Sequence, residues 1–168
     1  NILGGARNPY LKATAWDWQI DPMGLRIMLN EVYGRYGIPI LEDDPYSELY
    51  YEAQPMSPLK SMDQDGHVIY LSTCSKTISP GLRLGWMCAS RKLISRLSGI
   101  RQLTDLHSSC ISQQIVERFM GSRDMEHHLA FIRREYRERR DIMIEALNRY
   151  APPGLSWNRP EGGYYLWC

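Results

Sequence analysis

From Pro22 the apolar residues Leu25, Ile27, Met28, Leu29, Val32 and Tyr33 recur at helical spacing, with Asp21 in the N-cap position, Pro22 opening the helix and Gly37 as a stop. This predicts a helix over residues 22–36. Next comes the short run Ile38 to Leu41, whose β-branched content and polar ending, Glu42-Asp43-Asp44-Pro45, fit a buried parallel strand that ends in a loop. Residues 47–66 carry Pro55, Pro58 and several polar side chains, as a surface connection would. Val68 to Leu71 and Leu82 to Ala89 are two further predicted strands. Between Arg91 and Gly121, Leu93, Ile94, Leu97, Ile100, Leu103, Leu106, Ile111, Ile115 and Phe119 follow a helical period, and Gly99 is expected to divide them into two helices. Asp124 to Tyr150 is the longest predicted helix, with Leu129, Ile132, Tyr136, Ile142, Met143 and Leu147 toward a core. Ala151-Pro152-Pro153-Gly154 breaks it, and Leu155-Ser156-Trp157 and Tyr164-Tyr165-Leu166-Trp167 are expected as short strands about a turn at 160–163.

Composition narrows the class. The chain has 168 residues, 43% of them hydrophobic, and 20 Lys+Arg against 19 Asp+Glu leave a formal charge of +1, which argues against disorder and polyelectrolyte binding. No window approaches the ~18 unbroken apolar residues of a bilayer span, and residues 1–10 lack the basic-then-apolar order of a secretory signal, so a cytoplasmic location is expected. The four cysteines form no CxxC pair and no metal-like spacing with His67, His107, His127 or His128, which predicts free thiols and no metal site. The cluster RREYRERRD at residues 133–141 interleaves arginines with Glu135, Glu138 and Asp141, Glu135 and Arg139 forming an i,i+4 pair. It reads as a solvated helix face and not as a nucleic-acid patch.

The densest chemistry lies in Thr73-Cys74-Ser75-Lys76 and Ser79-Pro80-Gly81-Leu82-Arg83, where a predicted strand ends and the chain turns back. A phosphate-binding P-loop needs glycines where this chain has Ser75 and Tyr70. A lysine amine can instead form a Schiff base with an aldehyde, while the Thr73 and Ser75 hydroxyls and the Arg83 guanidinium can hold a phosphate dianion. Pyridoxal 5′-phosphate carries both groups. Its pyridine nitrogen needs a carboxylate, which Asp43 can supply, and Tyr46 can meet its 3-oxygen. In an α/β sheet, ligands gather at the carboxyl ends of the strands, where both loops are expected.

The segments ILEDDPYSELYY, STCSKTISPGLRLGW and RPEGGYYLW together resemble three successive signatures of the fold-type I, class I and II pyridoxal-phosphate aminotransferases. The resemblance covers about residues 37–168 and is nearest the branch of aminoadipate/kynurenine-type transaminases and the catalytic domains of MocR-like regulators. In that branch the Schiff-base lysine and the phosphate arginine stand seven apart, as Lys76 and Arg83 do here. The resemblance implies an α/β fold: part of the large-domain sheet with its helices over residues 38–121, and the start of a small α+β C-terminal domain over 122–168. It implies that Lys76 is the Schiff-base lysine and carries the proton shift, and that Asp43 partners the pyridine nitrogen. Tyr46 then partners the 3-oxygen, and Thr73, Ser75 and Arg83 bind phosphate. It further implies an amino acid and a 2-oxo acid as substrates and a homodimer.

The family's Gly-rich phosphate turn, ring-stacking aromatic and NPTG segment belong before these signatures, and its carboxylate-binding arginine after them. The 168 residues are therefore expected to be a fragment. The stretch NPYLKATAWDWQIDPMGLRIMLNEVYGRY, residues 8–36, is similar to a segment of bacterial 6-phospho-β-glucosidases that precedes the strand bearing the nucleophile. A heterologous N-terminal segment, residues 1–37, is expected on that ground. No Glu-Asn-Gly follows Tyr36, and neither carboxylate of a retaining glycosidase is assigned. The third reading is a non-catalytic pyridoxal-phosphate sensor module.

Overall fold

Gly37 ends a helical turn at residues 33–36 by adopting a φ of +63°, with its N–H donating to the Tyr33 carbonyl at 2.7 Å. A left-handed residue at this place terminates a helix at little cost only when it lacks a Cβ. The computed structural model describes the backbone of residues 12–13, and residues 31, 33–52 and 57–168. Most of the predicted helix over 22–36, with its Asp21 and Pro22 start, lies outside the described residues.

A four-stranded mixed sheet follows, in the order β1 (Lys12–Ala13), β2 (Ile40–Asp43), β3 (Val68–Thr73), β4 (Gly85–Cys88). β1 and β2 are parallel, as are β2 and β3, while β4 returns antiparallel to β3. β2 starts two residues later than the sequence predicts, because Pro39 has no N–H to give, and the ladder opens with Ile40 N–H donating to the His67 carbonyl at 3.0 Å. β4 is shorter than Leu82–Ala89, since Pro80–Leu82 forms a 3-10 turn and Arg83 sits at φ 52°, ψ 39°.

The short helix α1 (Leu59–Met62) begins on a buried carboxylate. Glu42 of β2 accepts N–H bonds from Leu59 at 2.7 Å and Lys60 at 2.8 Å, satisfying donors that the first turn leaves orphaned. Asp63 closes the same connection by accepting from the backbone N–H groups of Gly66, His67 and Val68, each at 2.9 Å.

Helix α2 (Arg91–Thr104) runs straight through Gly99, contrary to the expected division there. One glycine costs a helix only about 1 kcal/mol. The break falls at residues 105–109, where Leu106 has a φ of +62° and the Ser109 hydroxyl accepts Ser112 N–H to start α3 (Cys110–Met120). α4 spans Asp124–Tyr150 as predicted. Ile142 and Met143 of α4 are exposed, not core, and Leu129 is its buried aliphatic anchor. Among the described residues Leu49, Tyr51, Val68 and Cys74 are the most deeply buried side chains, so the core runs from the start of β3 to the loops that follow β2 and β3.

The strands expected at Leu155–Trp157 and Tyr164–Trp167 do not form. Residues 161–163 instead lie along 49–51: Tyr51 N–H donates to the Glu161 carbonyl at 2.7 Å, Gly163 N–H to the Leu49 carbonyl at 2.9 Å, and Gly162 bridges Tyr50. Of the α4 arginines expected on a solvated face, Arg134, Arg137 and Arg139 are exposed, but Arg133 and Arg140 are not. Arg140 is buried and donates to the Pro160 carbonyl and the Glu52 carboxylate, both at 2.8 Å, while Arg133 packs 3.9 Å over the Tyr50 ring. Glu135 pairs with Arg134 at 3.6 Å in place of the expected Arg139. The four cysteines are free thiols, Cys74 buried. Among the described residues, no helix is long and apolar enough to cross a membrane.

Candidate functional site

β2 and β3 end side by side, Asp43 in register with Leu71 and Thr73 two residues farther along its strand. The loop leaving β2 is anchored by Asp44. Its N–H donates to the Leu71 carbonyl at 2.9 Å, its carbonyl accepts from the Ser72 hydroxyl at 2.7 Å, and its carboxylate accepts from the Tyr70 hydroxyl and Ser47 N–H, both at 2.9 Å. Asp43, the last residue of β2, precedes this fixed loop, and Tyr46 lies within it. Tyr46 is half-buried, and burial, a hydrogen bond with Tyr165 and the nearby charge of Asp43 push its phenol up to about 12. It is therefore a neutral O–H donor around pH 7.

The loop leaving β3 is a tight turn over residues 74–78 in which the Cys74 carbonyl accepts from both Ile78 N–H (2.9 Å) and Ser79 N–H (3.1 Å). Thr73 Oγ1 donates to the Leu84 carbonyl at 2.8 Å, accepts Ser75 N–H at 3.1 Å and lies 3.0 Å from Ser75 Oγ. A carbonyl can only accept, so the single Thr73 proton goes to Leu84 and the Ser75 hydroxyl is the one that can turn to another acceptor.

Two consecutive carbonyls of this turn are held by side chains from outside it. Tyr164 donates its hydroxyl to the Lys76 carbonyl at 2.7 Å, and His128 of α4 donates Nε2–H to the Thr77 carbonyl at 2.8 Å. The Tyr164 ring lies 5.9 Å from Lys76 Nζ and meets the Tyr46 ring edge-on at 5.4 Å. Tyr46 and Lys76, from different loops, thus share one aromatic neighbour. Arg83 is exposed and donates to the Pro80 carbonyl at 3.3 Å; it makes no hydrogen bond with Thr73, Ser75 or Lys76. Among the described residues the Lys76 amine has no hydrogen bond or ion pair, and the Arg83 guanidinium has no carboxylate partner.

Tyr164, His128 and Asp44 were not singled out by the sequence as site residues. Asp44 reads as a turn signal before Pro45, and Tyr164 as a strand residue; only their partners, far along the chain, set them apart. Two cavities flank the lysine turn. One of about 520 Å³ lies between β4 and helices α2 and α3, with Cys74, Trp86, Arg101 and His107 in its wall, and one of about 250 Å³ reaches Tyr70, Thr73 and Leu129. Neither is lined by Asp43, Tyr46, Lys76 or Arg83.

The family described as aminotransferase class I and II matches residues 26–168, beginning well before the boundary near residue 37 drawn from the sequence motifs. The chain is 39% identical over 143 residues to "Aromatic-amino-acid aminotransferase 1" of Thermococcus litoralis, covering 85% of this chain and 34% of that one. It is 43% identical over 130 residues to the HTH-type transcriptional regulator YisV of Bacillus subtilis, covering 77% of this chain and 27% of the regulator. Among solved structures, it superposes on the kynurenine aminotransferase of Pyrococcus horikoshii, crystallised with PMP, with a TM-score of 0.78 and 40% identity. That match covers 82% of this chain and 34% of the other. The chain spans about a third of the length of the relatives it matches.

Proposed function

The chain belongs to the class I and II aminotransferases, and from that premise we propose that the protein containing it moves an amino group between an amino acid and a 2-oxo acid on pyridoxal 5′-phosphate, with Lys76 as the attachment residue. The observation that carries the reading is the meeting of the two loops. Asp43 ends β2 and Tyr46 follows it, Lys76 follows β3, and Tyr46 and Lys76 pack against the same Tyr164 ring.

The donor set fits the cofactor. It offers an amine that has no ion pair among the described residues for the aldehyde, a carboxylate for the ring nitrogen, a neutral phenol for the ring oxygen, and a hydroxyl and guanidinium for the phosphate. Asp43 would hold a proton at the pyridine nitrogen, Tyr46 would donate to the 3-oxygen, and Ser75 and Arg83 would take phosphate oxygens. Thr73 would act there chiefly by orienting Ser75, since its own proton is committed to Leu84. When bound, the cofactor supplies the electron sink that makes an amino acid's α-proton acidic. The part of this chain is to hold that sink protonated at Asp43 and to move the α-proton on the Lys76 amine.

We place the whole protein in the cytoplasm as a homodimer, on the family's pattern. No glycosidase role is proposed for residues 1–36, where no catalytic carboxylate is assigned. The likeness to the Bacillus regulator supports a second reading, a cofactor-binding sensor that does not turn over. The test is reduction of the purified full-length protein with borohydride in the presence of pyridoxal phosphate, followed by peptide mass spectrometry, and assay with a panel of amino acids and 2-oxo acids. Labelling at Lys76 with turnover is the expected result. Labelling at Lys76 without turnover would select the sensor, and absence of label at Lys76 would overturn both.

A further inference from the structure

Tyr164 stands where three parts of the fold come together. Its backbone is fixed by its neighbours: Gly163 N–H donates to the Leu49 carbonyl at 2.9 Å, the Tyr51 hydroxyl donates to the Gly163 carbonyl, and Gly162 bridges Tyr50. The residues that hold it belong to the same loop that carries Tyr46. From there the side chain crosses to the lysine turn, donating to the Lys76 carbonyl at 2.7 Å over a sequence separation of 88 residues. Its ring also packs against Tyr136 of α4, with centroids 4.5 Å apart.

A side chain that merely fills space would leave its hydroxyl to water or to any nearby acceptor. This hydroxyl goes to the carbonyl of the one residue whose amine must reach the cofactor. The ring is also the only partner of the Lys76 amine among the described residues, 5.9 Å from Nζ, within the range in which an aromatic face attracts a cation. Burial, the Tyr136 phenol and the neighbouring Tyr51 and Tyr46 raise the Tyr164 phenol well above its ordinary range, which keeps it protonated and donating.

We propose that Tyr164 is a positioning residue for Lys76: its hydroxyl fixes the lysine's backbone and its ring sets where the amine stands relative to Tyr46, so that the C-terminal segment completes the geometry of the cofactor lysine. This rests on the assignment of Lys76 made above. Reacting groups displaced by about 1 Å lose on the order of a hundredfold in rate, so a contact of this kind acts on rate more than on substrate affinity.

The experiment compares wild-type full-length protein with Tyr164→Phe, which keeps the ring, and Tyr164→Leu, which keeps neither ring nor hydroxyl. The first readout is the rate at which pyridoxal phosphate and borohydride label Lys76 in the cofactor-free protein, with the exposed Lys92 as internal reference. The amine condenses with the aldehyde, water leaves, and hydride from borohydride reduces the resulting C=N bond. Tyr164→Phe is expected to slow Lys76 labelling about tenfold, and Tyr164→Leu further, with Lys92 unchanged. In the assay kcat falls by about the same factor while KM stays within about twofold. Lys76 labelling at the wild-type rate in a folded Tyr164→Phe protein would overturn the proposal. Failure of wild-type protein to label at Lys76 would instead overturn the functional reading on which it rests. Hydrogen exchange needs no variant: in wild-type protein the Ile78, Ser79 and Gly163 amides should open together, and independent opening would also count against the proposal.

Discussion

The Tyr70 hydroxyl donates to the Asp44 carboxylate across 2.9 Å, tying the middle of β3 to the loop that follows Asp43 and carries Tyr46. Ser72, two residues on and so on the same face of the strand, adds its bond to the Asp44 carbonyl. Burial and the Asp44 charge push the Tyr70 phenol up to about 12, which keeps it a donor at any pH where the protein would be handled. Tyr70→Phe removes one hydrogen bond, a loss of about 1 kcal/mol in stability. Because that bond steadies the Tyr46 loop, cofactor affinity should fall several-fold in a titration while the melting temperature moves little.

Asp63 fixes the entry into β3. Burial works against its ionised form, but the Lys60 ammonium at 2.8 Å and the backbone N–H groups of Val68 and His67 outweigh it and hold the carboxyl at about 2. The folded value thus lies below the ordinary ~3.9 of an aspartate. Its contribution to stability is complete above about pH 4 and is lost as the pH falls toward 2, on the order of 2 kcal/mol in all. Denaturant unfolding of wild type against Asp63→Asn should show a gap near pH 7 that closes across that acid window.

Gly85 opens β4 opposite Thr73, and a Cβ placed there would lie 2.8 Å from the Ser72 carbonyl oxygen. That oxygen belongs to backbone and cannot swing aside. Gly85→Ala should therefore splay β4 from β3 at a cost of about 1–3 kcal/mol, read as a lower thermal midpoint.

Arg140 joins α4 to both the loop after β2 and the C-terminal segment, through Glu52, the Pro160 carbonyl and the Tyr51 ring 5.2 Å below its guanidinium. Arg140→Met keeps much of the stem and loses the charge-assisted bonds, for about 1.5–3 kcal/mol. The segment around residues 159–163 should then be cut faster by protease than in wild type. Arg133→Ala, whose ion pair with the exposed Glu48 carboxylate is screened by water, should cost less, about 1 kcal/mol or under.

Local patterns in the sequence were sufficient where one force dominates. The 27-residue span of α4 and the stop at Gly37 follow from periodicity and from a positive φ that only glycine adopts cheaply. β2 and β3 were legible from their apolar openings, Ile40-Leu41 and Val68 to Leu71, and Thr73, Ser75 and Lys76 stood out as candidates because they lie together in sequence. What the sequence hid were bonds between distant residues. Arg140 was read as solvated because charge alternates along its helix, while its burial depends on Glu52 and Pro160 arriving from elsewhere. Tyr164 was read as a strand residue because alternation cannot reveal that its hydroxyl meets Lys76. β1 pairs through two residues, too few to carry a pattern.

Visible absorbance on adding pyridoxal phosphate to the cofactor-free full-length protein tests the central assignment most directly. Wild-type protein should develop the yellow band of a lysine-bound cofactor, borohydride should bleach it, and Lys76→Ala should bind the cofactor without that band. An unchanged yellow band in Lys76→Ala, or a wild-type protein that stays colourless at saturating cofactor, would contradict the account.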